Sequence, residues 1–223
     1  EMWYVMDAAP GAGLLYGFKE PITKQQFVKS IEENTLLEYT KFIPCKRGDN
    51  FFIPAGTLHA IGEGLLIAEI QQNSDTTYRI YDYDRRDKNG NPRELHIEKG
   101  VMAAKTVPVK KRSTPMCSDG SRLLGSCRFF QVKEFVIKGE KIFNSDMRSY
   151  KAVLAVDGNA VLKCGTEEEY ISKGECVFVP AGTGEYIIGG NCTILETSNP
   201  PRYFAGIDLG GTNIAAAVVD EDG

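Results

Sequence analysis

One histidine and the polar segment that follows it carry the residue types most suited to chemistry in this chain. His59 closes the spacing G-x5-P-x-G-x2-H over residues 48–59, in which a glycine turn fixes the direction of the imidazole. The polar segment runs from Glu69 to Arg79 between apolar flanks and also contains Asp75. Such a pattern is typical of a strand whose side chains face a wet cavity. The two features together predict a polar site inside a β structure.

These residue types suit a metal-assisted proton transfer. An imidazole such as that of His59 can hold a divalent metal together with a carboxylate, and the metal then polarises a carbonyl group. Arg79 can stabilise a developing negative charge without giving up its own proton. Glu69 and Asp75 are both candidates for the base that takes a carbon-bound proton, and both could equally be ordinary polar strand residues. The choice between these interpretations stays open.

An internal repeat is the main organisational feature of the sequence. The segment 48–59 (GDNFFIPAGTLH) recurs as 174–185 (GECVFVPAGTGE), with Pro-Ala-Gly-Thr identical in both. A glycine turn, an apolar strand and a Pro-x-Gly corner therefore occur twice, which predicts two copies of one β module. The second copy has Glu185 in place of His59, so we expect it to have lost any metal site and to serve packing.

Most of the remaining chain consists of short β-like runs broken by Gly, Pro, Asn and Asp. This pattern predicts an antiparallel sandwich or barrel. A hairpin is predicted where Asp157 and Gly158 separate two apolar runs, because these residues accept the positive φ angles of a tight turn. Residues 105–122 are basic and punctuated by proline, which indicates a connector between two β units.

Two helices are expected to interrupt the β structure. The first begins near Thr23, whose spacing to Gln26 matches a capping box. The second follows Pro92 and includes His96. We expect His96 to have a packing or capping role rather than a catalytic one.

Composition excludes several classes of partner. The formal charge of −4 and the pI near 5.4 argue against binding to nucleic acid or to an anionic membrane surface. No apolar run approaches the roughly 20 residues of a membrane helix. The six cysteines include no C-x-x-C pair, which favours reduced thiols and a cytoplasmic location.

The quoted motifs resemble a known family. The motif that ends in His59 is similar to the second metal-binding motif of the cupin barrel. Together with residues 1–5 and 69–85, it resembles the type I mannose-6-phosphate isomerases of the short bacterial form. The resemblance implies a mainly β fold with two cupin-type (jelly-roll) barrels and a few helices. It also implies a sugar-phosphate substrate and interconversion of mannose 6-phosphate and fructose 6-phosphate through an enediolate.

The resemblance also implies a site. In this family one divalent metal, usually zinc, is held by an early Gln/His pair, by a glutamate that matches Glu1 and by a histidine that matches His59. The active-site arginine of the family matches Arg79. The Gln/His pair has no counterpart in this sequence, which begins with Glu1 rather than Met and which we therefore expect to be a fragment. Two ligands would hold metal weakly or not at all.

The last part of the chain resembles different material. The run 203–220 is similar to the opening hairpin of the ROK sugar kinases, an actin-like fold whose Asp-x-Gly-Gly-Thr turn faces the ATP phosphates. The resemblance implies phosphate contacts from the following residues: Asp208, Gly210, Gly211, Thr212 and Asn213. ATP would be a partner only of a complete kinase domain.

These expectations give four regions. Residues 1–104 are predicted to form a metal-site cupin with helical insertions, residues 105–122 a connector, residues 123–199 a second, degenerate cupin, and residues 203–223 the start of a kinase domain. The favoured function is a metal-dependent mannose-6-phosphate isomerase in the intact parent protein, and we expect the fragment itself to be inactive. The alternative is a non-catalytic cupin that binds sugar phosphate and regulates an attached sugar kinase.

Overall fold

The computed structural model describes residues 1–74, 76–83, 85–110 and 112–200, together with the backbone of two further strands between 203 and 220. The chain divides into two compact units, Glu1–Ser113 and Thr114–Gly223. The described elements are mainly strands with three short helices, so the mainly β prediction is confirmed.

The first unit contains six strands in two antiparallel sheets. In chain order these are β1 (Met2–Ala8), β2 (Gly13–Phe18), β3 (Thr40–Pro44), β4 (Asn50–Phe52), β5 (His59–Ile61) and β6 (Leu65–Ile70). One sheet has the order β4-β1-β6 and the other β3-β2-β5. Trp3, Leu14 and Ile53 form a buried cluster that joins strands of the two sheets. This apolar contact fixes how the polar residues of both sheets face each other.

Three helices belong to the first unit: α1 (Lys24–Glu32), α2 (Leu36–Tyr39) and α3 (Ile97–Ala103). The predicted start of α1 is confirmed, because Thr23 is its N-cap and forms both hydrogen bonds of a capping box with Gln26. α3 follows Pro92 as expected, but His96 is its N-cap and lies just outside the helix. Helix α2 had no signal in the sequence pattern.

The second unit is built around one large antiparallel sheet. Its strands are β7 (Arg122–Ser126), β8 (Gln131–Ser145), β9 (Lys151–Cys164), β10 (Glu167–Ile171), β11 (Cys176–Val179) and β12 (Gly184–Ser198). The order is β10-β9-β12-β8-β7, and β11 pairs with β9. A continuous core of apolar side chains from β8, β9 and β12 lies against this sheet, with Tyr186, Ile188 and Ile194 almost fully buried.

The predicted hairpin at Asp157 and Gly158 is wrong. β9 runs through both residues without a turn and stays paired with β12. Gly158 has a φ of 66°, and its N–H binds the Asp157 carboxylate. The register against β12 skips one residue beside Thr193, which is the mark of a β-bulge. A positive φ is compatible with either a β-bulge or a turn. Here β9 stays paired with the long strand β12, so the backbone forms a bulge.

The two copies of the repeat share their backbone conformation. Gly48 and Gly174 have φ values of 86° and 94°, and Gly56 and Gly182 have 82° and 78°. These angles lie in the left-handed region that glycine adopts without strain. The N–H of Gly48 donates to the Val5 carbonyl at 2.9 Å. In the same way, the N–H of Gly174 donates to a β9 carbonyl at 2.8 Å. The repeat is therefore structural as well as sequential, while the closure of two complete barrels stays a prediction.

A separate two-stranded sheet ends the described chain. β13 (Tyr203–Leu209) and β14 (Ile214–Asp220) pair antiparallel over their whole length. The predicted phosphate-binding residues Gly210, Gly211, Thr212 and Asn213 lie outside the described residues, and only the backbone of Asp208 is described. The assignment of this sheet to a kinase therefore stays a prediction.

Candidate functional site

Strand pairing brings Glu1 and Glu69 to one place in the first unit. The carbonyl of Glu1 accepts a hydrogen bond from the N–H of Ile53 at 2.7 Å, so the chain is extended at its first residue beside the end of β4. Trp3 lies directly opposite Glu69 in the β1–β6 ladder. Because alternate residues of a strand face the same side, Glu1, Trp3 and Glu69 share one face of this sheet.

The Pro-x-Gly corner and β5 deliver His59 to the same place. His59 lies opposite Tyr16 in the β2–β5 ladder. Its Nδ1 lies 2.7 Å from the carbonyl oxygen of Thr57, and its Nε2 lies 2.7 Å from Oε1 of Glu1. The indole of Trp3 meets the imidazole edge-on, with 5.1 Å between ring centroids. We call Glu1, His59 and Glu69 the first cluster.

The hydrogen bonds of the first cluster are incomplete. A carbonyl can only accept, so Nδ1 of His59 carries the proton that binds Thr57. In the neutral ring, Nε2 is then a lone pair that faces a carboxylate oxygen. Within the described part of the chain, the buried Glu1 Oε1 and Trp3 Nε1 make no well-aligned hydrogen bond, although Glu69 lies within range of both side chains.

The charges of the first cluster depend on one another. Glu69 is exposed as a residue, but partial burial of its carboxyl raises the pKa of that group, and the neighbouring negative charge of Glu1 raises it further. Burial works against ionisation of Glu1, but the His59 imidazole at 2.7 Å, which can donate from Nε2 once it is protonated, keeps the pKa of Glu1 below the usual value. Burial likewise opposes protonation of His59, yet its contacts with Glu1 and Thr57 raise its pKa. Two carboxylates beside one imidazole would thus be stabilised by an additional positive charge.

The donor set fits part of a metal site. An imidazole with its far nitrogen anchored to a backbone carbonyl is the usual form of a histidine ligand. Glu1 adds a carboxylate with an oxygen that lacks a well-aligned donor. Among the described residues, however, no three His, Cys, Asp or Glu side chains are arranged to surround one ion. Glu1 and His59 therefore offer two donors, fewer than a metal centre needs, and their role as metal ligands stays a prediction.

The structure gives Arg79 and Asp75 different outcomes. The N–H of Arg79 donates to Nδ1 of His96 at 3.3 Å, and the N–H of His96 donates back to the Arg79 carbonyl at 2.6 Å. The hydrogen bond from Arg93 lowers the pKa of Asp82, and the charge of Arg79 adds a smaller effect in the same direction. These contacts are with its own segment, so its convergence with the first cluster stays a prediction. Asp75 lies outside the described residues.

Two aromatic residues near the site were missed by sequence reasoning. Tyr16 faces the same side as His59, and its hydroxyl donates to the carbonyl of Phe52. Its ring packs edge-on against Phe51. Burial raises the pKa of the Tyr16 hydroxyl. No motif marks Tyr16, and only the pairing of β2 with β5 places it beside His59. Phe51 lies within the repeated segment 48–59, but nothing in that pattern indicates a contact with the site.

One feature of the described chain concerns membranes. None of the helices in its described part is long and apolar enough to cross a bilayer.

A comparison with known protein families gives a match in the second unit. Residues 122–199 match the family model of the mannose-6-phosphate isomerase cupin domain. The large sheet of the second unit is therefore similar to the cupin domain of mannose-6-phosphate isomerases. This confirms the cupin part of the resemblance, whereas the fusion to a ROK kinase stays a prediction.

Relatives extend the similarity over both units. The chain is 33% identical over 194 residues to the mannose-6-phosphate isomerase ManA of Bacillus subtilis, which covers 85% of this chain and 61% of that protein. It is 34% identical over 201 residues to the mannose-6-phosphate isomerase of Streptococcus mutans, covering 88% and 63%. The chain thus spans about six-tenths of the length of these relatives.

Solved structures agree with this fold. The crystal structure of the mannose 6-phosphate isomerase from Bacillus subtilis is 34% identical and superposes with a TM-score of 0.79, covering 88% of this chain and 63% of that one. A Salmonella typhimurium mannose 6-phosphate isomerase bound to fructose 6-phosphate and zinc is 14% identical, with a TM-score of 0.69 over 89% of this chain and 65% of that one. At that identity the likeness concerns the fold alone.

Proposed function

We propose that this chain is part of a mannose-6-phosphate isomerase, which interconverts mannose 6-phosphate and fructose 6-phosphate. The observation that carries the proposal is the 2.7 Å approach of His59 Nε2 to Glu1 Oε1 in a chain that is 33–34% identical to isomerases. The site joins a carboxylate and an imidazole, two donors that suit a divalent metal.

Zinc is the metal that we propose for Glu1 and His59. The Salmonella isomerase that shares this fold is described with zinc and fructose 6-phosphate. When bound, zinc would polarise the carbonyl of the sugar. Because a catalytic zinc site normally keeps three protein ligands, the proposal requires a further ligand beyond these two.

Glu69 is our candidate for the proton transfer. Isomerisation of the aldose moves one proton from C2 to C1 and another from the C2 hydroxyl to the C1 oxygen, through an enediolate. A carboxylate whose pKa is raised, as that of Glu69 is, works closer to neutral pH as an acid and base. Asp75 remains the alternative base.

Arg79 is our candidate for charge stabilisation. A guanidinium can face the negative oxygens of an enediolate without exchanging a proton, and Arg79 supplies such a group. The reciprocal hydrogen bonds with His96 fix its backbone at one point of the segment that follows β6. These hydrogen bonds form within the chain and do not depend on a metal.

The test compares His59→Ala with Glu185→Ala, which stands at the same position of the second copy and is exposed. In an isomerase that carries this chain, we expect His59→Ala and chelation each to lower turnover of mannose 6-phosphate by at least about 100-fold. Glu185→Ala should leave turnover unchanged. Full turnover in chelator would remove the metal from the mechanism. Binding of sugar phosphate without any isomerisation would favour the regulatory binding module instead.

A further inference from the structure

The second unit contains a buried charged group at the place that corresponds to the first cluster. In the first unit the Ile53 N–H binds the Glu1 carbonyl. In the second unit Val179, the repeat counterpart of Ile53, lies opposite Lys151. Position 151 in the second unit is therefore equivalent to position 1 in the first. A carboxylate has been replaced by an ammonium group.

The same pairing identifies the counterpart of Glu69. Trp3 lies between Phe51 on one side and Glu69 on the other. In the second unit Val153 lies between Val177 and Glu196, and Val177 is the repeat counterpart of Phe51. Glu196 is thus equivalent to Glu69, and both positions hold a glutamate.

The third position of the cluster is shifted by one residue. Glu185, the sequence counterpart of His59, is exposed, whereas the following Tyr186 is buried and directs its hydroxyl to Glu196 at 3.5 Å. Gly184 has a φ of 79°, in contrast to Leu58 at the same place in the first copy. This turn changes the phase of the strand, so the tyrosine and not the glutamate points inward. We call Lys151, Tyr186 and Glu196 the second cluster.

The second cluster holds both signs of charge. The Lys151 ammonium lies 3.9 Å from Glu196, and the two side chains are 19% and 9% exposed. Lys133, which pairs with Asp119 at 2.7 Å, adds a more distant positive charge. Burial is the main influence on the pKa of Glu196 and raises it, while both lysines act against this rise. The glutamate therefore has a positive neighbour supplied by the protein.

We infer that Lys151 is the resident cation of the second unit, so that this cupin keeps the inward glutamate of the metal-site arrangement without needing a metal. The inference rests on the proposed function only in treating Glu1 and His59 as metal ligands. The second unit then has a structural role, and the ammonium group of Lys151 takes the place of a metal ion there. A buried carboxylate with its partner removed is strongly destabilising, whereas removal of both charges can be neutral.

The experiment measures hydrogen exchange of β9 and β12 in the full chain, because these two strands carry Lys151 and Glu196. We expect Lys151→Met to speed amide exchange in both strands by roughly 10- to 100-fold. Lys163→Met is the matched control on the same strand, since this lysine is 39% exposed in its side chain and pairs with the carboxylates of Glu140 and Glu168. Its loss should change exchange by about threefold or less. The double variant Lys151→Met/Glu196→Gln should recover most of the protection.

Three outcomes would overturn the inference. Equal exchange in Lys151→Met and Lys163→Met would show that Lys151 does not offset a buried charge. Zinc-dependent protection of β12 in the unchanged chain would show that the second unit binds an ion of its own. Neither measurement reads isomerase activity, so failure of the inference and failure of the proposed function are distinguishable. A double variant that stays as unprotected as Lys151→Met would also contradict it.

Discussion

The two regions that carry the repeat use one backbone arrangement for two different charge distributions. Both have a positive-φ glycine, a short strand and a Pro-Ala-Gly-Thr corner, held by equivalent hydrogen bonds to a central strand. The first cluster gathers two carboxylates around an imidazole, while the second cluster pairs one carboxylate with an ammonium group. The fold therefore depends on the glycines and apolar residues, and the chemistry depends on three side chains.

The difference in charge between the two clusters indicates which of them would be stabilised by a metal. In the first cluster partial burial raises the pKa of Glu69, repulsion from Glu1 raises it further, and an added cation would relieve that repulsion. In the second cluster Lys151 already supplies positive charge. A unit that carries its own cation has no electrostatic reason to bind one. Substitutions in both units test this contrast in charge.

The largest effect is expected from the glutamate that both regions share. In an isomerase that carries this chain, Glu69→Gln should lower kcat by about 100- to 1,000-fold, because an amide cannot carry the proton. Glu63→Gln is the control, since Glu63 is an exposed residue between β5 and β6. The measurement is a steady-state assay with mannose 6-phosphate. A kcat within a factor of three of the control would exclude Glu69 as the proton carrier.

A second prediction separates the two copies by stability. A Cβ added at Gly56 would lie 2.5 Å from the backbone oxygen of Ala103, whereas at Gly182 it would meet the flexible side chain of Met147. Both substitutions place alanine at a positive φ, which costs about 1 kcal/mol. We expect Gly56→Ala to lower the free energy of unfolding by about 3 kcal/mol and Gly182→Ala by about 1 kcal/mol. Urea unfolding of each variant checks this, and equal losses would contradict the difference in crowding.

The sequence was sufficient to predict local features whose cause is local. The capping box of α1 needs only Thr23 and Gln26 at the right spacing, and the repeat is visible as identical corner residues. The hairpin predicted at Gly158 failed because the deciding contact is the pairing with β12, a strand more than 25 residues away in the sequence. Positive φ alone does not distinguish a turn from a bulge.

The candidate site was predictable only in part, for the same reason. His59 was found from its motif, and Glu1 from a family resemblance rather than from spacing. The inward direction of Tyr186 was not predictable, because a single glycine, Gly184, changes which face each later residue of β12 occupies. Contacts across sheets depend on register, and register follows from packing of the whole unit.

A smaller effect is expected at His96, which belongs to a part of the first unit beyond the repeat. Its ring accepts the N–H of Arg79, so His96→Ala should misplace the arginine and lower kcat about tenfold with little change in KM. His96→Asn can still accept this hydrogen bond and should recover most of the activity. Steady-state kinetics of both variants provide the measurement. Equal losses in the two would mean that His96 acts by packing and not by positioning Arg79.

The smallest effect is expected at Tyr186, in the second cluster. Its hydroxyl reaches Glu196 at 3.5 Å, a long contact to a carboxylate that also has Lys151 beside it. Tyr186→Phe keeps the buried ring, so we expect the free energy of unfolding to fall by only about 0.5–1 kcal/mol. Urea unfolding followed by fluorescence would show this, with Tyr170→Phe on the exposed side of β10 as the control. A loss above about 3 kcal/mol would mean that the phenol, and not the Lys151 ammonium, is the main partner of Glu196. The second cluster would then depend on a neutral donor, and its contrast with the first would no longer be one of charge.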